Sequence, residues 1–400
     1  MSLPKVLLLI PSMTGVGGTE RMVHAISGLL QQAGYEVHQA SFDAPKASRH
    51  FNSQAPLHAL GPIPRLPLLF RPFAYALSSW RLRALKRGLG TGITISNLWG
   101  ADFISILAGG SDRKLALCHI NIIGNRSNRL MMAFLPLVAA VYRRFDRVIA
   151  VSAPLAGELR ELYRLPVERI GHIDNFTECP STTPLWPVSE GSQRFVWCGR
   201  FSHEKNVSGL LHAWARFASG CPSAQLILVG EGPDRDSMYA LAIDLGLKVS
   251  DMNCLSSAQV VFAGRQADPA AFMASARALL LSSHAEGLPM VVLEALALGI
   301  PVIAADCPSG GVRSALIGEG DCDPCRPNMV HTPAGLLLPV PESLRPESLR
   351  IWVEALMVAV RDDGQHAAWS RGAVERAHLF SSGVARERWL SVLSELQVSA

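Results

Sequence analysis

The chain alternates short apolar runs of strand length with helix-length segments, and this alternation restricts its fold more than any other feature. The first half opens with the run KVLLLIPSM, the loop TGVGGTE, the helical segment RMVHAISGLLQQAG and a second run, YEVHQASFD. Near residue 194 the same cycle starts again with RFVWCGRFS. Strands that alternate with helices are typical of a doubly wound parallel sheet. The sequence therefore predicts two α/β domains in tandem.

A stretch rich in Pro, Ser and Thr separates the two cycles. It contains PSTTPLWPVSEGSQ, a composition typical of a linker. The chain has 400 residues, which is more than the roughly 250–300 at which single hydrophobic cores stop growing. We predict an N-terminal domain over 1–178, a linker over 179–193 and a C-terminal domain over 194–380. A terminal helix over 381–400 is expected to pack back on the N-terminal domain.

One apolar run in the second half contains a single carboxylate, Glu294. Pro289 suits the first turn of a helix and Gly299 suits the position just past its end, so PMVVLEALAL predicts a short helix. The following run, IPVIAAD, predicts a buried strand of a parallel sheet. A carboxylate among apolar side chains is costly unless it is hydrogen-bonded. Glu294 therefore needs a partner, either a ligand or a buried Arg or Lys.

Two loops carry residues suited to phosphate. Gly17 and Gly18 follow the first strand and let a ligand approach the backbone closely. A tight turn without a ligand is the alternative, and a dinucleotide is disfavoured because the third glycine of that fingerprint is absent. In the second half, Arg200 and Lys205 follow a strand, where they suit a diphosphate. A surface ion pair with Glu204 is the alternative there.

Basic residues dominate one part of the first half. Residues 44–145 contain fourteen Lys and Arg but only two acidic residues, Asp102 and Asp112. Within this part, residues 65–90 interleave Arg and Lys with Leu, Phe, Tyr and Trp, which fits a helix on an anionic membrane surface. A solvated basic helix that packs by its apolar side fits equally well. Nucleic acid is disfavoured because no binding motif accompanies the charge.

Composition disfavours several protein classes. No apolar run reaches the roughly 18–20 residues of a membrane-spanning helix, and the apolar stretch at the start is too short for a secretory signal. Eight cysteines lie scattered without a disulfide framework, which favours a reducing compartment. We expect a cytoplasmic protein, with a peripheral position on the inner face of the cytoplasmic membrane as a variant of that expectation.

A single C-x-x-C pair raises the question of a metal site. Cys322 and Cys325 lie near Cys307 and His331 in sequence. One such pair without a second is weak evidence for zinc. We expect a surface loop and no bound metal.

Four motifs of the second half occur in a fixed order: GRFSHEKN, LVGEGPDRD, VVFAGRQ and AEGLPMVVLEALALGIPVIAAD. Together with the loop GVGGTER and the segment VSAPLAGELRELYRLPVERIGHIDNFTE, they make nearly the whole chain resemble a family 4 glycosyltransferase of the GT-B fold. The resemblance implies two Rossmann-like domains facing a central cleft, a retaining reaction and a nucleotide-sugar donor. It implies no cofactor, because the nucleotide-sugar is a substrate.

The resemblance also implies roles for individual residues. Glu294 would hold the ribose hydroxyls, Glu286 would face the donor sugar, and Arg200 and Lys205 would bind the diphosphate. His119, which follows a predicted strand, would lie close to the transferred sugar. A lone His is otherwise more often a packing residue.

The other residues assigned to donor binding lie at strand ends and at a helix start. Backbone N–H groups of Gly287, Leu288, Met290 and Val291 would point at the sugar and diphosphate. Arg265 and Gln266 match the place where the base is held. The catalytic set implied by the resemblance is therefore His119, Glu286, Arg200 and Lys205.

The predicted function is transfer of a hexose from a UDP-sugar to a lipid-linked saccharide. The reaction would belong to lipopolysaccharide, O-antigen or exopolysaccharide assembly. The lipid part depends on residues 65–90 and on the apolar segment LMMAFLPLVAAVYRRF after His119. A nucleotide-sugar epimerase of the same fold and a noncatalytic membrane-surface scaffold are the alternatives. An assay that detects sugar transfer to an acceptor distinguishes the transferase from both alternatives.

Overall fold

The computed structural model describes residues 3–15, 17–44, 54–64, 71–119, 135–186, 193–252, 258–308, 310–318 and 329–398. The chain divides into two compact units. The N-terminal unit comprises Met1–Phe176 and Ser382–Ala400, and the C-terminal unit comprises Thr177–Ser381.

The described part of the N-terminal unit contains a seven-stranded parallel sheet. Its strands are β1 (Lys5–Ile10), β2 (Val37–Ser41), β3 (Leu57–Ala59), β4 (Thr91–Asn97), β5 (Arg113–Cys118), β6 (Arg147–Ala150) and β7 (Ile170–His172). The connecting helices are α1 (Gly18–Gln32), α2 (Arg71–Leu89), α3 (Trp99–Ala108), α4 (Leu135–Tyr142) and α5 (Ala153–Tyr163). The strand order is β3-β2-β1-β4-β5-β6-β7, so the order reverses between β1 and β4. In open α/β sheets, ligands bind beyond the carboxyl ends of the strands at such a point.

The described part of the C-terminal unit contains an eight-stranded sheet in the order β10-β11-β9-β8-β12-β13-β15-β14. Its strands are β8 (Arg194–Cys198), β9 (Gln225–Val229), β10 (Val249–Ser250), β11 (Val260–Gly264), β12 (Ala278–Leu281), β13 (Val302–Ala305), β14 (Val330–Thr332) and β15 (Gly335–Leu338). Its helices are α6 (Val207–Gly220), α7 (Arg235–Asp244), α8 (Pro269–Ala274), α9 (Met290–Ala297), α10 (Gly311–Leu316), α11 (Pro346–Arg361) and α12 (Asp363–Ala377). Only the edge pair of β14 and β15 is antiparallel among these strands. The order reverses between β8 and β12.

The last helix, α13 (Ser382–Val398), belongs to the N-terminal unit. Trp389 and Leu393 lie on its buried face. Arg388 Nη1 lies 2.7 Å from Asp174 Oδ2, which ties the helix to the end of the first sheet. Among the helices that the structure describes, none combines the length and the apolar character needed to cross a membrane.

Local sequence signals explain the segment around α9. Pro289 directly precedes this helix, and Gly299, at φ 69°, follows it in the left-handed conformation that ends many helices. The next strand, β13, is buried and pairs in parallel with β12 and β15. The predicted helix and the predicted buried strand are both confirmed.

Four short edge strands were not predicted from the sequence. Strands β3, β7, β10 and β14 have two or three residues each. A strand of this length has too few positions for an alternating pattern, so its pairing depends on the neighbouring strand.

Candidate functional site

In the C-terminal unit, a cation and a carboxylate meet at the point where the strand order reverses. The loop after β8 ends in a 3₁₀ turn, His203–Lys205, and the loop after β12 carries Glu286. Lys205 Nζ lies 2.6 Å from Glu286 Oε1. Ser283 Oγ donates to the same carboxylate oxygen over 2.7 Å. The Glu286 side chain is 9% exposed and that of Lys205 is 27% exposed, so the pair is only partly screened by solvent.

Asn206 fixes the turn that carries Lys205. It adopts a left-handed conformation, at φ 48°, which Asn tolerates better than most residues. Its Oδ1 accepts a hydrogen bond from the N–H of Gly209 and so caps α6. Its Nδ2 donates to the carbonyls of Ser282 and Pro341, over 3.1 and 2.9 Å. Asn206 therefore joins three segments of the C-terminal unit. Asn206 was not predicted from the sequence, in which its signal is the position before an apolar helix.

The start of α9 lies in the same loop as Glu286. Gly287 and Leu288 are buried there, whereas Met290 and Val291 are partly exposed. The N–H groups of Met290 and Val291 make no hydrogen bond to another described residue, as the first turn of a helix requires. Such groups, with the positive end of the helix dipole, attract anions.

Glu294 lies one turn further along α9 and is 7% exposed. The structure thus brings the start of α9, Lys205, Glu286 and Glu294 into one region of the C-terminal unit. The two carboxylates differ in setting, because Glu286 is paired with a cation at the helix start and Glu294 is buried within the helix.

The other cation and the predicted base-binding pair lie at neighbouring strand ends. Arg200 is exposed just after β8. The pKa of the Glu204 carboxyl is lowered, mainly by hydrogen bonds from its own backbone and from Ser202, with a smaller contribution from the charge of Arg200. Arg265 is exposed after β11, and Gln266 Nε2 donates to the carbonyl of Ala263.

In the N-terminal unit, the glycine-rich loop after β1 surrounds one of the chain's own carboxylates. A Cβ atom on Gly15 would lie 2.2 Å from Glu20 Oε1, and one on Gly17 would lie 2.6 Å from Glu20 Oε2. The lack of side chains leaves room for the Glu20 carboxylate in this loop, whether or not a ligand also binds. Gly17 precedes α1 and Gly18 is its first residue; both are exposed.

An acidic residue after β2 holds the first part of this loop. Asp43 Oδ1 accepts a hydrogen bond from Ser12 Oγ, and Asp43 Oδ2 accepts one from the N–H of Met13, each over 2.7 Å. Asp43 thus stabilises the loop conformation.

His119 lies just after β5, beside the end of β4. Its Nε2 is 2.9 Å from Asn97 Oδ1, and Asn97 Nδ2 donates over 3.1 Å to the carbonyl of Leu9. Burial lowers the pKa of His119 from 6.5 to about 4. The imidazole is therefore neutral at physiological pH. Asn97 was not predicted from the sequence, in which its one signal is an amide at the end of a predicted strand.

Ser96, the strand residue next to Asn97, binds a buried carboxyl, that of Asp102 on α3. Ser96 Oγ donates to Asp102 Oδ1 over 2.6 Å, and Tyr142 Oη donates to Asp102 Oδ2 over 2.8 Å. Burial nevertheless raises the pKa of Asp102 to about 7, because the two hydrogen bonds lower it by less than the loss of solvent raises it.

The structure describes two of the four residues that were considered for zinc. Cys322 and Cys325 lie outside the described residues. Cys307 is buried after β13, and His331 is exposed on β14. Within the portion of the chain that the structure describes, no three His, Cys, Asp or Glu side chains are placed to hold a metal ion.

Comparisons with known proteins agree over both units. Residues 16–179 match the family model described as Glycosyltransferase Family 4, and residues 186–321 match the model described as Glycosyl transferases group 1. The curated amylovoran biosynthesis glycosyltransferase AmsD of Erwinia amylovora is 23% identical over 308 residues, which are 76% of this chain and 82% of that protein.

Two solved structures show a similar fold over nearly the whole chain. Sucrose-phosphate synthase from Thermosynechococcus elongatus has a TM-score of 0.78 at 19% identity, covering 99% of this chain and 100% of that one. Anabaena HepE, solved in complex with UDP and glucose, has a TM-score of 0.72 at 18% identity, covering 98% and 100%.

Proposed function

This chain belongs to the family 4 glycosyltransferases of the GT-B fold, and from that premise we propose that it transfers a hexose from a UDP-sugar to a saccharide with retention at the anomeric carbon. The observation that carries the proposal is the grouping of Lys205, Glu286, the start of α9 and Glu294 in the C-terminal unit. This group offers the chemistry that a sugar linked to a nucleoside diphosphate needs.

The diphosphate would be bound by cations and backbone N–H groups. A Lys ammonium has three donors, so Lys205 can hold Glu286 and still donate to phosphate oxygens. Arg200 would add a planar guanidinium, and the N–H groups of Met290 and Val291 would add the helix start. As the bond between the sugar and the diphosphate breaks, negative charge grows on the leaving phosphate. These groups stabilise that charge.

The two carboxylates would bind hydroxyl groups of the donor. Glu286 is held by Lys205 and Ser283, so it is a rigid acceptor for a hydroxyl of the sugar. Glu294 would accept hydrogen bonds from the ribose. Gly287 and Leu288 would lie against the sugar, and Arg265 and Gln266 against the base.

The acceptor hydroxyl would attack the anomeric carbon from the face that the diphosphate leaves. Its proton passes to the departing phosphate oxygen, so no covalent intermediate with the protein is needed. His119 in the N-terminal unit, with Gly17 and Gly18, would contact the substrates from that unit. Because its imidazole is neutral, His119 would act through a hydrogen bond and not through charge.

The names of the relatives and the surface of helix α2 support the acceptor class that we propose. AmsD is named for the biosynthesis of amylovoran, which supports a role in bacterial lipopolysaccharide, O-antigen or exopolysaccharide assembly. Helix α2 offers a surface that suits a lipid bilayer, which supports a lipid-linked acceptor.

Helix α2 exposes an apolar stripe that continues into basic residues. Phe73, Leu77 and Trp80 are 69%, 39% and 67% exposed and are spaced three or four residues apart, so they share one face. Arg83 and Arg87 are exposed further along the helix. We infer that this stripe lies on an anionic membrane surface, where aromatic residues enter the interface and cations meet lipid phosphates. Residues 65–70 of the predicted membrane segment lie outside the described residues.

Calorimetric binding of UDP, GDP, ADP and NAD to the purified protein tests the donor site. Selective UDP binding is expected, and Glu294→Ala should abolish it. Glu347→Ala removes an exposed carboxylate from α11 of the same unit and should leave UDP binding unchanged. Binding of NAD alone would overturn the proposal. NMR analysis of the product should show the donor's anomeric configuration, and an inverted product would rule out retention.

A further inference from the structure

The hydrogen bonds around Asn97 and His119 fix the direction of every donor and acceptor in the group. The carbonyl of Leu9 can only accept, so the Asn97 atom 3.1 Å from it must be Nδ2. The carbonyl of Ile95 lies 3.5 Å from the same nitrogen, a longer contact of the same sense. The amide orientation follows, and Asn97 Oδ1 is the atom that faces the imidazole.

An amide oxygen is an acceptor, so the ring nitrogen beside it must carry a proton. His119 Nε2 lies 2.9 Å from Asn97 Oδ1 and is therefore the N–H of the ring. In a neutral imidazole the other nitrogen, Nδ1, then holds a lone pair. Among the described residues, only Nε2 of this ring has a hydrogen-bond partner.

We propose that Asn97 is a positioning residue for sugar transfer, because it holds His119 as the Nε2–H tautomer and so presents Nδ1 as a hydrogen-bond acceptor for a substrate hydroxyl. This inference rests on the proposed function. It deepens it by naming the chemistry that His119 recognises. A lone pair on Nδ1 accepts from a sugar O–H, whereas it repels a phosphate or carboxylate oxygen. His119 therefore selects an uncharged, hydroxyl-bearing part of the substrate.

The geometry also explains why the partner is an amide. Asn97 is fully buried and joins the ends of β1 and β4 to the residue after β5. A carboxylate at this position would favour a charged imidazolium, in which both ring nitrogens donate. The amide keeps the ring neutral while it still sets the tautomer.

Long-range ¹⁵N NMR of protein with labelled histidine distinguishes the two tautomers. His119→Gln identifies the His119 signal. In the wild-type protein, His119 should be the Nε2–H tautomer throughout pH 6–8, with no titration in that range. An Nδ1–H tautomer would overturn the inference without any measurement of activity.

Asn97→Leu, which keeps the branched shape and removes both hydrogen-bonding atoms, tests the consequence for transfer. It should give a mixture of tautomers and lower kcat by about 2- to 12-fold, the range for one hydrogen bond to substrate. UDP binding, which depends on the C-terminal unit, should stay within about twofold. Ser96→Ala is the matched control, since Ser96 is the buried neighbour on β4 and bonds to Asp102 and not to His119.

The outcomes separate the two proposals. Unchanged kcat in Asn97→Leu, with its tautomers mixed, would overturn the role of Asn97 while the transferase assignment stands. A wild-type protein with the Nε2–H tautomer that transfers no sugar would instead overturn the proposed function. If Asn97→Leu does not fold, the wild-type tautomer still tests the inference.

Discussion

Lys205 Nζ and Glu286 Oε1 lie 2.6 Å apart, so the cation expected at the diphosphate and the carboxylate expected at the sugar are bound to each other. The two residues follow β8 and β12, the strands between which the order of the second sheet reverses. The pair joins the two loops at this point and fixes the position of both charges.

The ion pair predicts a non-additive mutant cycle. Lys205→Met leaves the 9% exposed Glu286 carboxylate without its cation and should cost up to about 3 kcal/mol of unfolding free energy. Glu286→Gln leaves Lys205 unpaired and should cost less, because Lys205 is more exposed. The double variant should lose less unfolding free energy than the sum of the losses in the two single variants. Chemical denaturation of the three variants measures this, and additive effects would contradict a coupled pair.

The same variants predict a loss of transfer. Lys205→Met should lower kcat/KM by about 100-fold or more, since a preorganised group that stabilises transition-state charge contributes that much. Glu286→Gln should also lower kcat/KM, because it weakens the acceptor for a sugar hydroxyl and removes the partner that holds Lys205 in position. The control is the double variant Arg345→Met with Glu342→Gln. It removes two exposed charges that lie 3.0 Å apart in the same unit, and it should leave transfer unchanged.

Close packing around Glu286 predicts a severe effect of one methyl group. A Cβ on Gly311 would lie 1.5 Å from the carbonyl oxygen of Gly287, the residue after Glu286. Gly311→Ala should therefore displace that loop, weaken UDP binding by tenfold or more and destabilise the protein by about 1–3 kcal/mol. Gly28→Ala is the control, because nothing lies within 4 Å of its added Cβ in the middle of α1. It should stabilise by about 0.5–1 kcal/mol. Equal effects of the two changes on UDP binding would contradict this packing.

The raised pKa of Asp102 should make the free energy of unfolding depend on pH. Its folded-state pKa, about 7, is above the ordinary value of 3.8, so the native state binds this proton more tightly than the unfolded state. The stabilising contribution is complete below about pH 4 and is lost as the pH rises to 7. Since one pKa unit corresponds to about 1.4 kcal/mol, Asp102→Asn should raise stability at pH 8 by a few kcal/mol and have little effect at pH 4. Thermal unfolding at both pH values tests this.

The variant Asp112→Asn should have the opposite effect on stability from Asp102→Asn. Asp112 is also buried, but its Oδ1 lies 2.7 Å from Lys86 Nζ and 3.4 Å from Lys114 Nζ. Removing this carboxylate leaves two partly buried cations without their counter-charge, so the variant should be destabilised at pH 8. A stabilised Asp112→Asn would contradict the argument for both sites.

Helix α2 predicts binding to anionic vesicles. The wild-type protein should float with phosphatidylglycerol vesicles and not with phosphatidylcholine vesicles, and high salt should weaken the binding. Phe73→Ser with Trp80→Ser should lower binding by tenfold or more, because two exposed aromatic anchors are removed. Leu107→Ser, an exposed apolar residue on α3 of the same unit, is the control. Absence of wild-type binding to the anionic vesicles would exclude the membrane role.

Much of the C-terminal unit could be predicted from the sequence because its signals are local. Pro289 and Gly299 fix the ends of α9 through backbone geometry, and the β-branched run after them forms the buried strand β13. The family resemblance assigned Lys205, Glu286 and Glu294 to one site, and the structure groups them. The glycine loop was harder to interpret, because Gly15 and Gly17 also make room for Glu20.

The sequence by itself determined where the longer strands and helices lie, since propensity, caps and apolar periodicity act over a few residues; the edge strands of two or three residues depended on their neighbours. Only the tertiary structure decided which loops meet. Lys205 and Glu286 are 81 residues apart and pair because β8 and β12 are neighbours in the sheet. Asn97 and His119 meet because β4 and β5 pair in parallel register. Such contacts depend on strand order and register, which are set by the packing of the whole sheet and not by any one segment.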